Sequence, residues 1–366
     1  MGQHFDAARL TRVISSITTV GLALAMCGGT SSASTLKWVE RAHFTNVPYA
    51  ISCSSSRVCN GISNDGTFVV RTKDGGEKWS FQNLNVTSGD ITSMSCPTTS
   101  FCFAAGSAWA PGVPALEGGD VSVVSLDGGA TWEVGYPGTV YQPGILANAT
   151  CTSETWCIAS DENQVFATSS GSYGGWSSAA KFNLNLSVEG LYCHSRQNCL
   201  ALLGPASVAT QQDDHIDHET LMESVNGGAN WTRVSTLPLG TSDLACTTKD
   251  SCTAIGLGGS NVALFISKDG GKLWAKQSIP HTGRSTISAA SCFSSKICVV
   301  DVAAGYEKNL FERTTNGGKS WSNESLPKGN FLVFNIDCQG SNSCIAVGQK
   351  FGPGQIPEAG VILTYG

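Results

Sequence analysis

The amino-acid sequence predicts an all-β protein, a seven-bladed β-propeller whose blades are four-stranded antiparallel sheets. Fourteen of the fifteen cysteines form seven pairs with the same spacing, C-x5-C. A second motif, Ser/Thr-x-Asp-Gly-Gly-x-x-Trp, recurs between those pairs. The chain also has 42 glycines and only 14% charged residues, a composition typical of many short strands joined by tight turns. Together the two repeats predict one domain over residues 35–366.

The cysteine pairs mark the first hairpin of each blade, between its strands A and B. In the second repeat strand A ends at Cys96 and strand B begins at Cys102, so each pair is expected to close an A–B hairpin. An even number of cysteines in an exported chain predicts disulfides, whereas a metal site would need a second matching pair or histidines nearby. The predicted disulfides are Cys53/Cys59, Cys96/Cys102, Cys151/Cys157, Cys193/Cys199, Cys246/Cys252, Cys292/Cys298 and Cys338/Cys344.

The second motif predicts the turn between strands C and D. Asp or Asn can accept hydrogen bonds from the backbone of its own turn, and the glycines permit positive φ. The Trp then begins the outer strand D and fills space between blades. We therefore interpret the aspartates as turn formers rather than catalytic acids. Five copies are intact and a sixth, residues 169–176, keeps only its ends; the Asp or Asn positions are Asp74, Asp127, Asn226, Asp269 and Asn316.

The chain termini account for the missing seventh copy. Residues 361–364 are predicted to form a C strand that stops where the Asp-Gly-Gly motif would begin. Thr35 to Val39 matches the end of that motif followed by strand D. The N-terminal strand is therefore predicted to complete blade seven. Trp38 would then be the seventh structural tryptophan.

These strings resemble the Asp-box, or BNR repeat, and the resemblance covers the whole of residues 35–366. Sialidase-like propellers share this repeat, and that resemblance implies an arginine triad, a Tyr/Glu nucleophile pair and an F/Y-R-I-P string. The string is absent. Arg57 and Arg196 are predicted in disulfide turns, and Arg41, Arg71, Arg233 and Arg313 on outer strands. Only Arg284 is left to face a ligand, so we predict no sialidase activity.

The chain is also similar to photosystem II stability and assembly factor propellers. That resemblance implies a binding scaffold without catalysis, in some members anchored by lipid. The cysteine pairs and the lack of an arginine patch depart from that family's pattern. We carry over the scaffold role and not the photosynthetic one.

Residues 1–34 are predicted to be an export signal. Arg9 and Arg12 precede an apolar run of 14 residues, Val13 to Met26, which is too short to span a bilayer. Ser32-Ala33-Ser34 suits cleavage. Alternatively, Leu24-Ala25-Met26-Cys27 resembles a lipobox, and a lipoprotein signal of residues 1–26 would place a lipid on Cys27. Both alternatives predict a secreted or cell-envelope protein, and no other segment is a transmembrane candidate.

Charge excludes some partners. The whole chain has 22 basic and 28 acidic residues, and residues 1–34 contain two arginines and one aspartate, which leaves 20 basic and 27 acidic. No basic run remains, which argues against nucleic acid and anionic lipid. We predict no cofactor and a monomer.

Candidate binding residues lie on the face opposite the cysteine pairs. Long B–C loops are predicted at Ala108–Asp120, Gly204–Glu219 and Gln349–Glu358, and such loops often carry binding. Trp109 would either fold back over its own loop or be an exposed platform for a ligand. The segment from Asp213 to Glu219 would be a solvated acidic tip that includes Asp213, Asp214, His215, Asp217 and His218, or a metal site through His215, Asp217 and His218. Asp90, Glu189 and Asp243 start A strands at the channel mouth, where paired carboxylates could hydrolyse glycosidic bonds.

The sequence therefore favours a non-catalytic extracytoplasmic scaffold that recognises a protein or glycan through this loop-bearing face. Two alternatives stay open. One is a glycoside hydrolase or lyase using the channel-mouth carboxylates. The other is a lectin-like module with a sugar on Trp109.

Overall fold

The computed structural model describes residues 36–366, except 85, 87, 110–118, 136–145, 169–175, 184, 207–217, 258–261, 281–285 and 304–308. The predictions for residues 1–34, including lipidation of Cys27, lie outside the described residues. The described chain forms seven four-stranded antiparallel sheets, which confirms the seven-bladed β-propeller. No helix in the described part has the length and hydropathy to cross a membrane.

The strands follow one another as A, B, C and D within each blade. The first strand of the chain, β1 (Trp38–Phe44), belongs to the last blade. Blades one to three consist of β2 (Pro48–Cys53), β3 (Cys59–Ser63), β4 (Phe68–Thr72), β5 (Ser80–Asn83); β6 (Ser88–Ser95), β7 (Cys102–Trp109), β8 (Gly119–Ser125), β9 (Glu133–Gly135); and β10 (Ala147–Ser153), β11 (Trp156–Asp161), β12 (Gln164–Thr168), β13 (Trp176–Lys181).

Blades four to six consist of β14 (Leu186–Cys193), β15 (Cys199–Pro205), β16 (His218–Ser224), β17 (Thr232–Pro238); β18 (Ser242–Cys246), β19 (Cys252–Leu257), β20 (Val262–Ser267), β21 (Ala275–Ser278); and β22 (Thr286–Cys292), β23 (Cys298–Ala303), β24 (Asn309–Thr314), β25 (Ser322–Glu324). Blade seven consists of β26 (Asn330–Gly340), β27 (Ser343–Phe351), β28 (Pro357–Tyr365) and β1, with a 3-10 turn at Pro353–Gln355.

The A strands form the inner ring. Each A strand contacts the A strand of the next blade, and β2 and β26 close the circle. The B and C strands are buried on both faces, as in β3 and β20, because every blade is covered by a neighbour on each side. The D strands, such as β21, lie mostly exposed at the rim. Continuous apolar runs in B and C and polar D strands follow from this layering.

All seven predicted disulfides are present. In each, the two cysteines belong to one A–B hairpin, as Cys53 and Cys59 do, and their Cα atoms are 3.9 to 4.1 Å apart. Seven disulfides indicate an oxidising compartment outside the cytoplasm.

In blades three and seven the second cysteine is not the first residue of strand B. Cys157 forms the predicted bond with Cys151, but it is the second residue of β11, which begins at Trp156. Cys344 likewise bonds to Cys338 and is the second residue of β27, which begins at Ser343.

The reason for these two departures is a tighter turn beyond the disulfide. In blade three the ladder continues past Cys151 and Cys157 to pair Ser153 with Trp156, and burial of the Trp156 side chain (4% exposed) stabilises the extra pair. In blade seven it continues past Cys338 and Cys344 to pair Gly340 with Ser343. The disulfides of Cys157 and Cys344 therefore lie within the ladder rather than at its end.

The Asp-Gly-Gly turns have the predicted geometry. In the first, the hydroxyl of Thr72 accepts from the N–H of Gly76 at 2.9 Å, and Oδ1 of Asp74 accepts from the N–H of Lys78 at 2.9 Å. Oδ1 of Asn226 accepts from the N–H of Asn230 in the same way at 2.9 Å, so an amide oxygen makes the same hydrogen bond as the carboxylate oxygen. Both glycines of every intact turn have positive φ. The aspartates are turn formers, as predicted.

Ring closure by the N-terminal strand is confirmed. β1 pairs with β28, with Trp38 opposite Tyr365. The indole of Trp38 is 2% exposed and packs edge-on against Phe311 of blade six, with ring centroids 4.6 Å apart. Nε of Arg41 donates to the hydroxyl of Thr364 at 3.0 Å.

Candidate functional site

The propeller has two unlike faces. We call the end with the A–B disulfide turns and the C–D turns the stapled face, and the end with the B–C turns and D–A connectors the loop face. On the stapled face the two kinds of turn bond each other, since the N–H of Gly75 donates to the carbonyl of Arg57 at 3.0 Å. On the loop face the bonds join neighbouring blades, as from the N–H of Val188 to the carbonyl of Glu162 at 2.7 Å.

Two of the three channel-mouth carboxylates are described. Asp90 lies on β6 opposite Ser107 and is partly exposed. Glu189 lies at a bulge in β14, is exposed, and accepts a hydrogen bond from the hydroxyl of Ser187. The third, Asp243, lies on β18, but its side chain is outside the described residues. Asp90 and Glu189 belong to blades two and four, so the structure puts them on separate sheets.

Several other predicted residues are outside the described part. These are Asp213, Asp214, His215, Asp217 and Arg284, together with the side chain of Trp109. The backbone of Trp109 ends β7 and pairs with Ser88. His218 begins β16 opposite Pro238 and is partly buried. Among the described residues, no three His, Cys, Asp or Glu side chains are grouped as a metal site would need.

The expectation of a solvated tip extending to Glu219 is wrong at its last residue. Glu219 lies within β16 and is 2% exposed, because alternation along the strand turns it to the same side as Leu221. Its Oε1 accepts from the N–H of Thr241 at 3.0 Å, and its Oε2 has no hydrogen-bond partner. Burial, with a smaller contribution from Glu189 and against the backbone bonds, raises the pKa of Glu219 to about 8. Glu219 is therefore mostly protonated at neutral pH.

Glu189 lies on the same blade as this buried acid. Its side chain lies across Gly204 of β15, where an added Cβ would come within 2.8 Å of Cγ of Glu189. The negative charge of Glu189 is close enough to contribute to the raised pKa of Glu219. Blade four thus holds one exposed and one buried carboxyl group at the loop face.

The predicted long loop of blade seven is short. β27 and β28 continue their pairing to Phe351 and Pro357, so only Gly352–Ile356 connect them. The N–H of Gly352 donates to the carbonyl of Ile356 at 2.9 Å, which closes the connection. Ile356 is 66% exposed there. In blades two and four the segments between strands B and C are longer, at residues 110–118 and 206–217.

The expected placement of two arginines on outer strands is also wrong. Arg71 and Arg313 occupy equivalent positions in the C strands β4 and β24. Arg313 is 5% exposed; it lies 3.8 Å from a carboxylate oxygen of Glu324 and 4.5 Å from the ring centre of Tyr365. Arg71 is only partly buried and bonds through Nη2 to the carbonyl of Asp127 at 3.3 Å.

Charge is divided between the two faces. Among described residues, the turns of the stapled face carry six acids and ten cations: Lys37, Arg57, Lys73, Lys78, Arg196, Lys249, Lys268, Lys272, Lys296 and Lys319. The described strand ends and connections of the loop face carry three lysines, Lys181, Lys328 and Lys350, against eight acidic side chains, of which Glu219 is mostly protonated: Asp65, Asp90, Asp161, Glu162, Glu189, Glu219, Asp301 and Glu358. The net charge of the whole chain does not reveal this difference between the two faces.

A cavity that the sequence did not predict lies at the stapled side of the rim. It has a volume of about 460 Å³, between strands β4 and β5 of blade one and the Gly129–Ala130 turn of blade two. Its lining includes Arg71, Lys73, Lys78 and Phe81. We call it the blade-one groove.

Fold and faces together define the class: a disulfide-linked seven-bladed β-propeller. No protein-family model and no curated protein matches the chain. Solved structures do. "YCF48 bound to D1 peptide" has a TM-score of 0.62 at 13% identity over 90% of this chain and 96% of that one. YCF48 from Cyanidioschyzon merolae has a TM-score of 0.61 at 17% identity, over 90% and 98%.

A glycoside hydrolase shares the fold as well. The GH74 xyloglucanase from Xanthomonas campestris has a TM-score of 0.60 at 12% identity, over 88% of this chain and 55% of that one. At such identities the likeness shows the fold alone. The neighbours include a peptide-bound propeller and an enzyme, so the fold does not choose between binding and catalysis.

Proposed function

We propose that the chain is a non-catalytic binding propeller of the Asp-box type, exported from the cytoplasm by its N-terminal signal, that recognises a positively charged protein through its loop face. The observation that carries the proposal is the acid excess of that face, with Asp90, Glu162, Glu189 and Glu358 at its surface. Complementary charge speeds encounter and selects partners. The solved structure of YCF48 with a D1 peptide supports a protein partner, since it is a propeller of similar fold holding a peptide.

Rigidity supports the same role. Seven disulfides and the strand pairing of β1 with β28 hold the strand ends in fixed positions. A preorganised surface loses little conformational entropy on binding. The two signal alternatives, cleavage after Ser34 or lipid on Cys27, both leave the propeller free to bind outside the cytoplasm.

The test is capture of a partner from cell-envelope extract by the purified propeller. The loop-face variant Asp90→Asn/Glu189→Gln should lose a basic protein that the parent retains at low salt. The matched variant Glu77→Gln/Asp250→Asn removes two acids from the stapled face and should retain it. Equal capture by both variants, or a glycan eluting in place of a protein, would refute the proposal.

Catalysis is the second candidate, favoured by one observation. Glu189 and the protonated Glu219 lie on one blade, and a pair of carboxyl groups in different protonation states is typical of acid–base catalysis. Burial of Glu219 argues against it, because a substrate could not contact a side chain that is 2% exposed. Purified protein should therefore not hydrolyse xyloglucan or a fluorogenic sialoside. Hydrolysis that Glu189→Gln or Arg284→Ala abolishes would establish an enzyme.

A further inference from the structure

The blade-one groove is a cationic pocket on the face that the proposed function does not use. Its opening lies beside the outer strand β5, and three cations contribute to its wall: Arg71, Lys73 and Lys78. In the described part of the chain, no carboxylate oxygen lies within 4.0 Å of any of the three. The acids closest along the chain are already engaged.

Asp74 and Asp127 are engaged in their own turns. Asp74 accepts from the hydroxyl of Thr72 at 2.8 Å as well as from the turn backbone. Asp127 accepts from Thr131 and Ser125, and these bonds outweigh its burial and lower its pKa to about 2. Asp74 lines the groove beside the three cations, so its wall holds three cations against one acid. Asp127 attracts Arg71, and Asp74 attracts Lys78, but neither carboxylate lies within 4.0 Å of these cations.

The surroundings of Arg71 differ from those of its counterpart in blade six. Arg313 occupies the same strand position and is neutralised by Glu324 and covered by Tyr365. Arg71 has no carboxylate oxygen within 4.0 Å, although Asp127 attracts it from farther away, and its Nε is buried without a hydrogen-bond partner. A guanidinium in this state lacks the anion that its counterpart has.

An aromatic surface adjoins the cations. Phe81 on β5 is 51% exposed and stacks on the fully buried Phe68, with ring centroids 5.2 Å apart and planes at 24°. The equivalent D-strand residues of the other intact repeats are Val134, Arg233, Lys276 and Asn323. Among these intact repeats, blade one is the one with an exposed aromatic ring at this position, and the ring lies beside three cations and one acid.

The strand beside the groove also has a free edge. Among the described strands β5 pairs with β4 alone, so its outer N–H and C=O groups are available to a further strand. Adding an extended peptide to such an edge is a common mode of recognition, in which alternate side chains enter neighbouring pockets.

We propose that the blade-one groove binds an acidic peptide segment, which adds in extended form to the edge of β5. Its carboxylates lie toward Arg71, Lys73 and Lys78, and an apolar side chain covers Phe81. The site is separate from the loop face, so the protein would bridge two partners: a basic one at the loop face and an acidic one at the rim.

A displayed library of random twelve-residue peptides, selected on the immobilised mature protein, tests the proposal. Enriched peptides should alternate acidic and apolar residues, and synthetic labelled copies should bind by fluorescence anisotropy. Arg71→Gln/Lys73→Gln/Lys78→Gln should weaken their binding about tenfold or more, and Phe81→Ala severalfold. The control Lys249→Gln/Lys268→Gln/Lys272→Gln removes three cations from blade five on the same face and should leave affinity unchanged.

Three outcomes would overturn the proposal. They are enriched peptides without acidic residues, a blade-five control that weakens binding as much as the groove variant does, and polygalacturonate binding through the groove cations while no acidic peptide binds. Lys73→Gln/Lys78→Gln leaves the bond from Arg71 to Asp127 intact. If the triple variant has a lowered melting temperature, this double variant is used in its place, and it should also weaken peptide binding.

Discussion

The carboxylate of Asp337 in blade seven accepts a hydrogen bond from the backbone N–H of Cys53 in blade one, with 2.7 Å between Oδ2 and N. Elsewhere in the ring a serine at the same position, one residue before the first cysteine, does the same for the next blade. The serine pairs are Ser52 with Cys96, Ser95 with Cys151 and Ser291 with Cys338, at 3.0 to 3.1 Å. Among these four hydrogen bonds between neighbouring blades, the one that joins blade seven to blade one is therefore the one accepted by a carboxylate.

Removing that acceptor should weaken the ring. In Asp337→Ala the buried N–H of Cys53 loses its partner, which costs about 1–3 kcal/mol of unfolding free energy. Asp337→Ser, the residue used at the other joints, should recover most of the loss. Denaturant unfolding of the three proteins measures this, and an alanine variant as stable as the parent would show that the bond contributes nothing.

Glu219 should make stability depend on pH. Its pKa is about 8 in the folded protein and near its ordinary value of 4.5 when unfolded. Between those values the folded state holds a proton that the unfolded state has released, so stability falls as pH rises from about 4.5 to about 8. Glu219→Gln should remove this fall, a difference on the order of a few kcal/mol at pH 8.

Melting temperatures across that pH range are the measurement for Glu219. Glu223→Gln, on the same strand, is the control and should keep the slope of the parent. Identical slopes in the parent and Glu219→Gln would mean that Glu219 is ionised in the folded protein.

Ring closure can be separated into pairing and packing. Deleting residues 35–41 removes half of β1 and leaves an unpaired edge on β28, so the variant should aggregate and melt earlier. Trp38→Ala keeps the pairing and loses only the packing against Phe311, at about 3–5 kcal/mol. It should be less stable but still soluble. A deletion variant that matches the parent in light scattering and thermal melting would contradict closure by this strand.

Each disulfide should act locally. The closed loops are short, so replacing Cys246 and Cys252 by serine should cost about 2 kcal/mol and leave a folded ring. Non-reducing peptide mapping of the parent should find each cysteine joined to the partner in its own hairpin. A link between blades would contradict this arrangement.

Local repeats made the fold predictable. Cysteine pairs and Asp-Gly-Gly turns each specify a hairpin from a few consecutive residues, and Trp38 could be recognised as the displaced end of such a turn. The burial of Glu219 was missed because it follows a charged run, although alternation with Leu221 carries the signal. The blade-one groove could not be predicted, since Arg71 and Arg313 look alike in sequence and differ only in neighbours contributed by other segments.

Pairing Trp38 with Tyr365 also fixes an order in time. Each of the first six blades is built from four consecutive strands, with its disulfide joining cysteines six positions apart. Blade seven is not, because its outer strand comes from the beginning of the chain and its other three from the end. The first strand of the propeller in the chain is therefore the last to find its place. Until β1 pairs with β28, the ring is open and the edge of β28 is unpaired.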